Sequence, residues 1–211
     1  MNLQEYEKIK GFTYLEYCDY LQKKYGIGIN DYMTKAWNKN RNVSRTKEGL
    51  VAHHLFEDHA IMLSHIEYAK KNPYEWQLAK NIVYCDYLEH LLLHILICQD
   101  PSEEKNENEE VGVGGVINYI VPELNDLYSG WQPAEEWKIR CFNIVKNDKN
   151  VYLTLIERFK VLWEQFTTFE VYYYIDKELD DFLYSSFNEK KKTGLWSRKQ
   201  NEKIFKEIAA L

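Results

Sequence analysis

The chain has 211 residues, 45% of them apolar and 15% aromatic, with a formal charge of −6. That apolar content is enough for the core of one large domain or two small ones, and the aromatic content excludes a disordered chain. No run of 18 or more apolar residues is present, and the opening MNLQEYEKIK is polar and acidic where a secretion signal is basic and then apolar.

The sequence therefore reads as a soluble cytoplasmic protein with no membrane span. Cys18, Cys85, Cys98 and Cys141 are scattered, without CxxC spacing, and read as reduced, buried thiols.

In chain order, residues 14–25 carry apolar side chains at Tyr14, Leu15, Cys18 and Leu21, a helical stripe with Thr13 as cap and Gly26 as stop. A short second helix is expected over 31–37 behind an Asn30 cap. From Asn38 the chain turns polar and basic: Lys35, Lys39, Arg41, Arg45 and Lys47 crowd one segment. A net acidic chain is an awkward nucleic-acid binder, because phosphate contacts supply much of the affinity, but distribution matters more than the sum. Lys39, Arg41, Arg45 and Lys47 are the candidate phosphate and base contacts.

Residues 49–56, GLVAHHLF, are short and apolar and suit a strand. An insert follows, with a helix expected over 64–80 and Ser64 as its cap. Residues 84–98 carry Leu88, Leu91, Leu92, Ile95 and Leu96 at helical spacing. Residues 99–110 (QDPSEEKNENEE) form an acidic surface loop containing Glu103, Glu104, Glu107, Glu109 and Glu110.

Gly112-Val-Gly-Gly lacks the Gly-Lys-Ser/Thr ending of a phosphate loop and reads as a flexible entry to a helix over 116–127, kinked or ended by Pro122. Helical patterns fill 137–145 and 151–166. Residues 169–175 suit a strand or a helix continuation, and Leu179, Phe182, Leu183 and Phe187 resume helical spacing. The tail joins Lys190, Lys191, Lys192, Arg198 and Lys199, with Trp196 available for stacking, to a closing helix from about Ser197. The expected class is α+β, mostly α, in one compact unit over 1–211. Its parts are a helical segment with a basic loop (1–48), a central unit (49–98), a linker (99–115) and a helical region (116–211).

All six histidines, His53, His54, His59, His65, His90 and His94, fall inside residues 49–97. His90 and His94 are one turn apart on one helix face, about 5–6 Å between Cβ atoms, which lets two imidazoles share a cation. On a strand His53 and His54 point to opposite faces, so one joins that pair and the other stays free as a base. His59 and His65 read as loop and helix-terminus residues.

His53-His54, then Asn81, then His90 and His94, within NIVYCDYLEHLLLHILI, resembles the HNH nucleases, with their hairpin-and-helix ββα-metal fold. The similarity is to the phage-type endonucleases and the colicin nuclease domains, and it covers about a quarter of the chain. It implies that His53, His90 and His94 hold one divalent ion, that His54 is the general base, and that Asn81 orients the base. Asp86 is an alternative for that last role.

The expected function is a metal-dependent endonuclease acting on nucleic acid, DNA first. Neutral imidazoles suit Zn²⁺ or Ni²⁺, while the resemblance allows Mg²⁺ or Mn²⁺. A double-strand cutter with one site per chain is expected to pair as a homodimer. The alternatives are a nuclease-like binding or inhibitor module and a structural zinc protein.

Overall fold

The computed structural model describes residues 1–166 and 198–211. Helix α1 (Leu3–Ile9) starts where Asn2 accepts a hydrogen bond from the Glu5 backbone. Helix α2 (Tyr14–Tyr25) starts on a Thr13–Glu16 capping box, which satisfies two of the free amides of the first turn. It stops at Gly26, whose φ of 82° suits glycine. Tyr14, Tyr17, Cys18 and Leu21 form its buried stripe. Leu15, expected there, is 60% exposed, because the face that packs inward is one residue further round.

Strands β1 (Val51–His54) and β2 (Ile82–Cys85) form an antiparallel hairpin that pairs Val51 with Cys85, His53 with Val83 and His54 with Ile82. One turn of helix, α3 (Ile66–Ala69), lies in the insert between them. Helix α4 (Tyr87–Gln99) follows β2 directly. Its cap is Asp86, which accepts from the amides of Leu88 and Glu89 at 2.8 Å, while the Glu89 carboxylate accepts from the Asp86 amide at 2.7 Å.

Helix α4 is the axis of the fold. Leu88, Leu91, Leu92, Leu93, Ile95, Leu96 and Ile97 are all buried, so it is apolar on every side and must be enclosed by other elements. Enclosing it are α2, α7 (Glu136–Val145), α8 (Lys149–Phe166) and the helical run 113–128. That run comprises a short turn α5 (Val113–Gly115), a π turn over Val116–Ile120 and α6 (Val121–Tyr128). A last helix, α9 (Glu202–Ala209), buries Ile204 and Ile208.

The main core lies around α4 and includes Val83 and Cys85 of β2. A smaller cluster of Tyr32, Met33, Val43, Leu50, Ala69, Ile82 and Tyr84 lies on the hairpin's other face. The architecture is thus α+β and mostly helical, with a hairpin packed on α4. No helix among the described residues is long and apolar enough to cross a membrane.

Four local expectations change. Residues 31–37 form turns closed by a Met33–Lys39 bridge, with Trp37 at φ 61°, because so short a segment does not repay the cost of helix nucleation. The helix expected over 64–80 ends after one turn and continues as 3₁₀ turns at Tyr74–Gln77 and Ala79–Asn81; Pro73 breaks it. Its N-cap is His65, which makes no side-chain capping bond, and not Ser64. Residues 82–85 pair with β1 as a strand, so the helix expected from 84 begins at Tyr87.

Pro122 sits in the first turn of α6, and the π turn just before it widens the backbone where the proline ring would crowd the preceding carbonyls. The patterns at 169–175 and 179–187, and Lys190, Lys191, Lys192 and Trp196, lie outside the described residues.

Candidate metal centre

Alternation along β1 decides which histidine goes where. His53 faces α4, where its ring centroid is 5.3 Å from that of His90 and 5.1 Å from that of His94. His54 faces the smaller cluster and packs on Tyr32 at 4.2 Å between centroids. One turn apart on α4, His90 and His94 bring their Nε2 atoms to 3.2 Å.

A fourth group enters from the turn after β1. Glu57 Oε2 is 3.3 Å from His53 Nδ1 and 3.3 Å from His94 Nε2. One ligand atom from each of His53, Glu57, His90 and His94 lies within 4.8 Å of all the others. These four residues are a group that could hold one metal ion.

Two observations test the fit. Among the described residues, buried His53 Nδ1 makes no hydrogen bond, although Glu57 Oε2 stands 3.3 Å away, an arrangement that costs free energy unless something else uses the nitrogen. Its other nitrogen, Nε2, is 2.8 Å from the Tyr14 hydroxyl, whose single proton has the carbonyls of Leu55 (3.0 Å) and His54 (3.2 Å) within reach as acceptors. With the hydroxyl proton on a carbonyl, Nε2–H donates to the hydroxyl and Nδ1 is the nitrogen left to ligate an ion.

The spacing agrees as well. Nitrogen and oxygen ligands on a tetrahedral zinc ion stand about 3.3 Å apart along the edges. Three of the six distances in the group are 3.2, 3.3 and 3.3 Å, and all six lie within 4.8 Å, so the group is close to that spacing on the side of Glu57 and His94.

Electrostatics favour the ligating protonation states. Burial lowers the pKa of His53 to about 3, against the pull of Glu57. His90 is driven well below its usual value by burial and by its two neighbouring imidazoles, and His94 is lowered by burial. Burial alone would raise the Glu57 pKa, but the surrounding His53, His54 and His94 hold it well below the normal range. Three neutral imidazoles and one carboxylate are what a divalent transition metal requires.

The glycine-rich stretch serves this centre by packing. A Cβ on Gly115 would clash with the His94 ring at 2.4 Å, and one on Gly112, at φ 83°, would meet Cys98 Sγ and the His94 carbonyl at 2.8 Å. The chain comes this close to α4 only because side chains are missing there. The reading of this stretch as a flexible entry is replaced by a tight bed under His94.

The remaining residues singled out in the sequence fall as follows. His54 is 1% exposed; its ring nitrogens meet Glu57 Oε1 (Nδ1, 3.3 Å) and Gln77 Oε1 (Nε2, 3.2 Å). Asn81 points elsewhere, donating to the Glu75 carbonyl at 2.7 Å, while its own carbonyl accepts from the Leu55 amide at 2.8 Å. Asp86 is the α4 cap and is also paired with the Met1 amino group. Lys39, Arg41 and Lys47 are exposed, and Lys39 lies 4.9 Å from the ring centre of Tyr32. Arg45 is occupied by Glu48 and the Tyr25 carbonyl and lies over the Tyr84 ring at 4.8 Å.

Glu57 and Gln77 were missed by sequence reasoning. Glu57 carried one usable cue, its position four residues after His53; Gln77, inside the insert, carried none. Comparison of the chain with protein-family profiles, curated proteins and solved structures gives no match.

Proposed function

We propose that this protein is a metal-dependent endonuclease of the ββα-metal (HNH) kind, with DNA as its first substrate. The observation that carries the reading is the joint geometry of β1, β2 and α4. It offers three histidines and Glu57 to one ion, with a further histidine next in sequence to the strand ligand.

The proposed ligands are His53, His90, His94 and Glu57, the last added to the set expected from sequence. A bound divalent ion would supply Lewis acidity to a phosphoryl oxygen and to the leaving oxygen. His54 is the proposed base. The Gln77 amide donates to the Leu63 carbonyl at 3.2 Å, which turns its oxygen toward His54 Nε2 and keeps the hydrogen on that nitrogen.

Nδ1 is then the nitrogen proposed to take the proton, and Glu57 Oε1, 3.3 Å away, is placed to accept a hydrogen bond from the N–H that results. Gln77 thereby performs the orienting role expected of Asn81. Lys39, beside the Tyr32 that packs on His54, is a proposed phosphate contact.

Glu57 also favours a second reading, because four protein ligands close a tetrahedral site and closed sites are structural. The test is plasmid cleavage by metal-stripped protein given single divalent ions. The parent is expected to cut, and His54→Ala is expected to keep its metal and fold yet lose about 10²- to 10⁴-fold in rate. A zinc-replete parent that cuts nothing with any ion, but unfolds on chelation, is the structural protein instead.

A further inference from the structure

Next in sequence to Glu57 and Gln77 stand two aromatic residues that belong neither to the candidate metal group nor to the apolar core clusters. Phe56 and Trp76 stack with centroids 5.0 Å apart and planes 8° from parallel, and His59 meets both rings at steep angles, at 5.2 and 5.6 Å. All three are partly exposed. Among the described residues, neither Phe56 nor Trp76 belongs to, or packs against, either apolar core cluster. Rings of this size stabilise a fold chiefly through the area they bury, so a water-facing stack outside both clusters is poorly explained by folding alone.

Its position supplies the explanation. Phe56 immediately precedes Glu57, and Trp76 immediately precedes Gln77, so each ring is one residue from a group at the metal centre or its base. The edge of the stack is also held in place. His59 Nδ1 is 2.6 Å from Asp58 Oδ1 and its Nε2 is 3.2 Å from Ser102 Oγ, while the Ser102 and Asn106 amides donate to the carbonyls of Asp58 and His59. A rigid π surface beside a phosphodiester site is the arrangement that binds a base by stacking, without reading its sequence.

We infer that Phe56 and Trp76 form a stacking platform for one unpaired nucleobase next to the phosphodiester held at the metal centre. The preferred substrate is therefore single-stranded DNA, because a paired base already has neighbours on both faces. The inference rests on the nuclease reading above and narrows its substrate class.

The test uses the metal-loaded full chain and a labelled 12-residue oligothymidylate with cleavage-resistant phosphorothioate linkages, alone and annealed to oligoadenylate. The parent is expected to bind the single strand more tightly than the duplex. Trp76→Leu and Phe56→Leu are expected to weaken single-strand binding roughly 5- to 100-fold, with unchanged metal stoichiometry, and Trp76→Tyr to restore most of it. If a leucine variant does not fold, quenching of tryptophan emission by the strand, smaller in Trp76→Tyr than in the parent, decides the same point.

Equal single-strand affinity in parent and leucine variants, or tighter binding of the duplex by the parent, overturns the platform. Hydrolysis of bis(4-nitrophenyl) phosphate by the metal-loaded parent reports separately on the nuclease reading. That reading can then stand while the platform falls, or fall while the binding result stands.

Discussion

At the scale of single residues, Glu57 sets the character of the centre. Its two oxygens divide their contacts: Oε2 faces His53 and His94, and Oε1 faces His54. Removing it leaves three imidazoles and one open position. Glu57→Ala is therefore expected to weaken metal binding at least about 10-fold while leaving the chain folded, as equilibrium dialysis and circular dichroism would show.

Tyr14 acts one step further out, through the His53 ring. Tyr14→Phe removes the acceptor for His53 Nε2–H and frees the ring to turn. Metal affinity is expected to fall about 10- to 100-fold, with a stability loss of about 1 kcal/mol. Unchanged affinity would mean that the ring is held by packing alone.

At the scale of elements, the centre depends on α4 staying in register with the hairpin and with the glycine bed. Gly115→Ala puts a methyl 2.4 Å from the His94 ring. The expected cost is about 1–3 kcal/mol, typical of overpacking, together with loss of metal; thermal melts with and without Zn²⁺ would separate the two effects. The α4 pattern and its leucines were legible because a fully buried helix writes its spacing plainly. So was the meeting of His53 with His90 and His94, which follows from alternation on a strand and a four-residue step on a helix.

The contributions of the turns were not legible. Glu57 reaches the centre through the backbone path of residues 55–59, and Gln77 through a 3₁₀ turn created by Pro73; neither path has a periodicity to read. The role of Gly115 was hidden for a different reason. A missing side chain is informative only once its neighbour is known.

At the scale of the whole molecule, charge placement gives two expectations. Lys39 and Arg41 are exposed on the basic segment, so Lys39→Ala and Arg41→Ala are expected to weaken DNA binding and flatten its salt dependence. Arg45→Ala is expected to lower the melting temperature instead, since Arg45 is tied to Glu48 and Tyr25.

The second expectation concerns pH. The folded pKa of His53, about 3, lies below the 6.5 of an unperturbed imidazole, and those of His90 and His94 are lowered in the same direction. Between these values the unfolded chain binds protons that the folded chain refuses, so the metal-free protein should lose stability as pH falls from 6.5 toward 3. Glu89, raised to about 7 by burial, and Asp58 and Asp148, also raised by burial, work in the opposite direction, against the three imidazoles and the lowered Glu57. Urea midpoints that rise on acidification through this window would contradict the assignment of neutral imidazoles.

The central claim is that one divalent ion is held jointly by β1, its following turn and α4. Calorimetric titration of chelator-stripped protein with Zn²⁺ tests it most directly, comparing the parent with His53→Ala, Glu57→Ala, His90→Ala and His94→Ala. The account predicts one equivalent bound by the parent, with affinity reduced in every one of the four variants. A parent that binds no ion, or four variants that bind as the parent does, would contradict it.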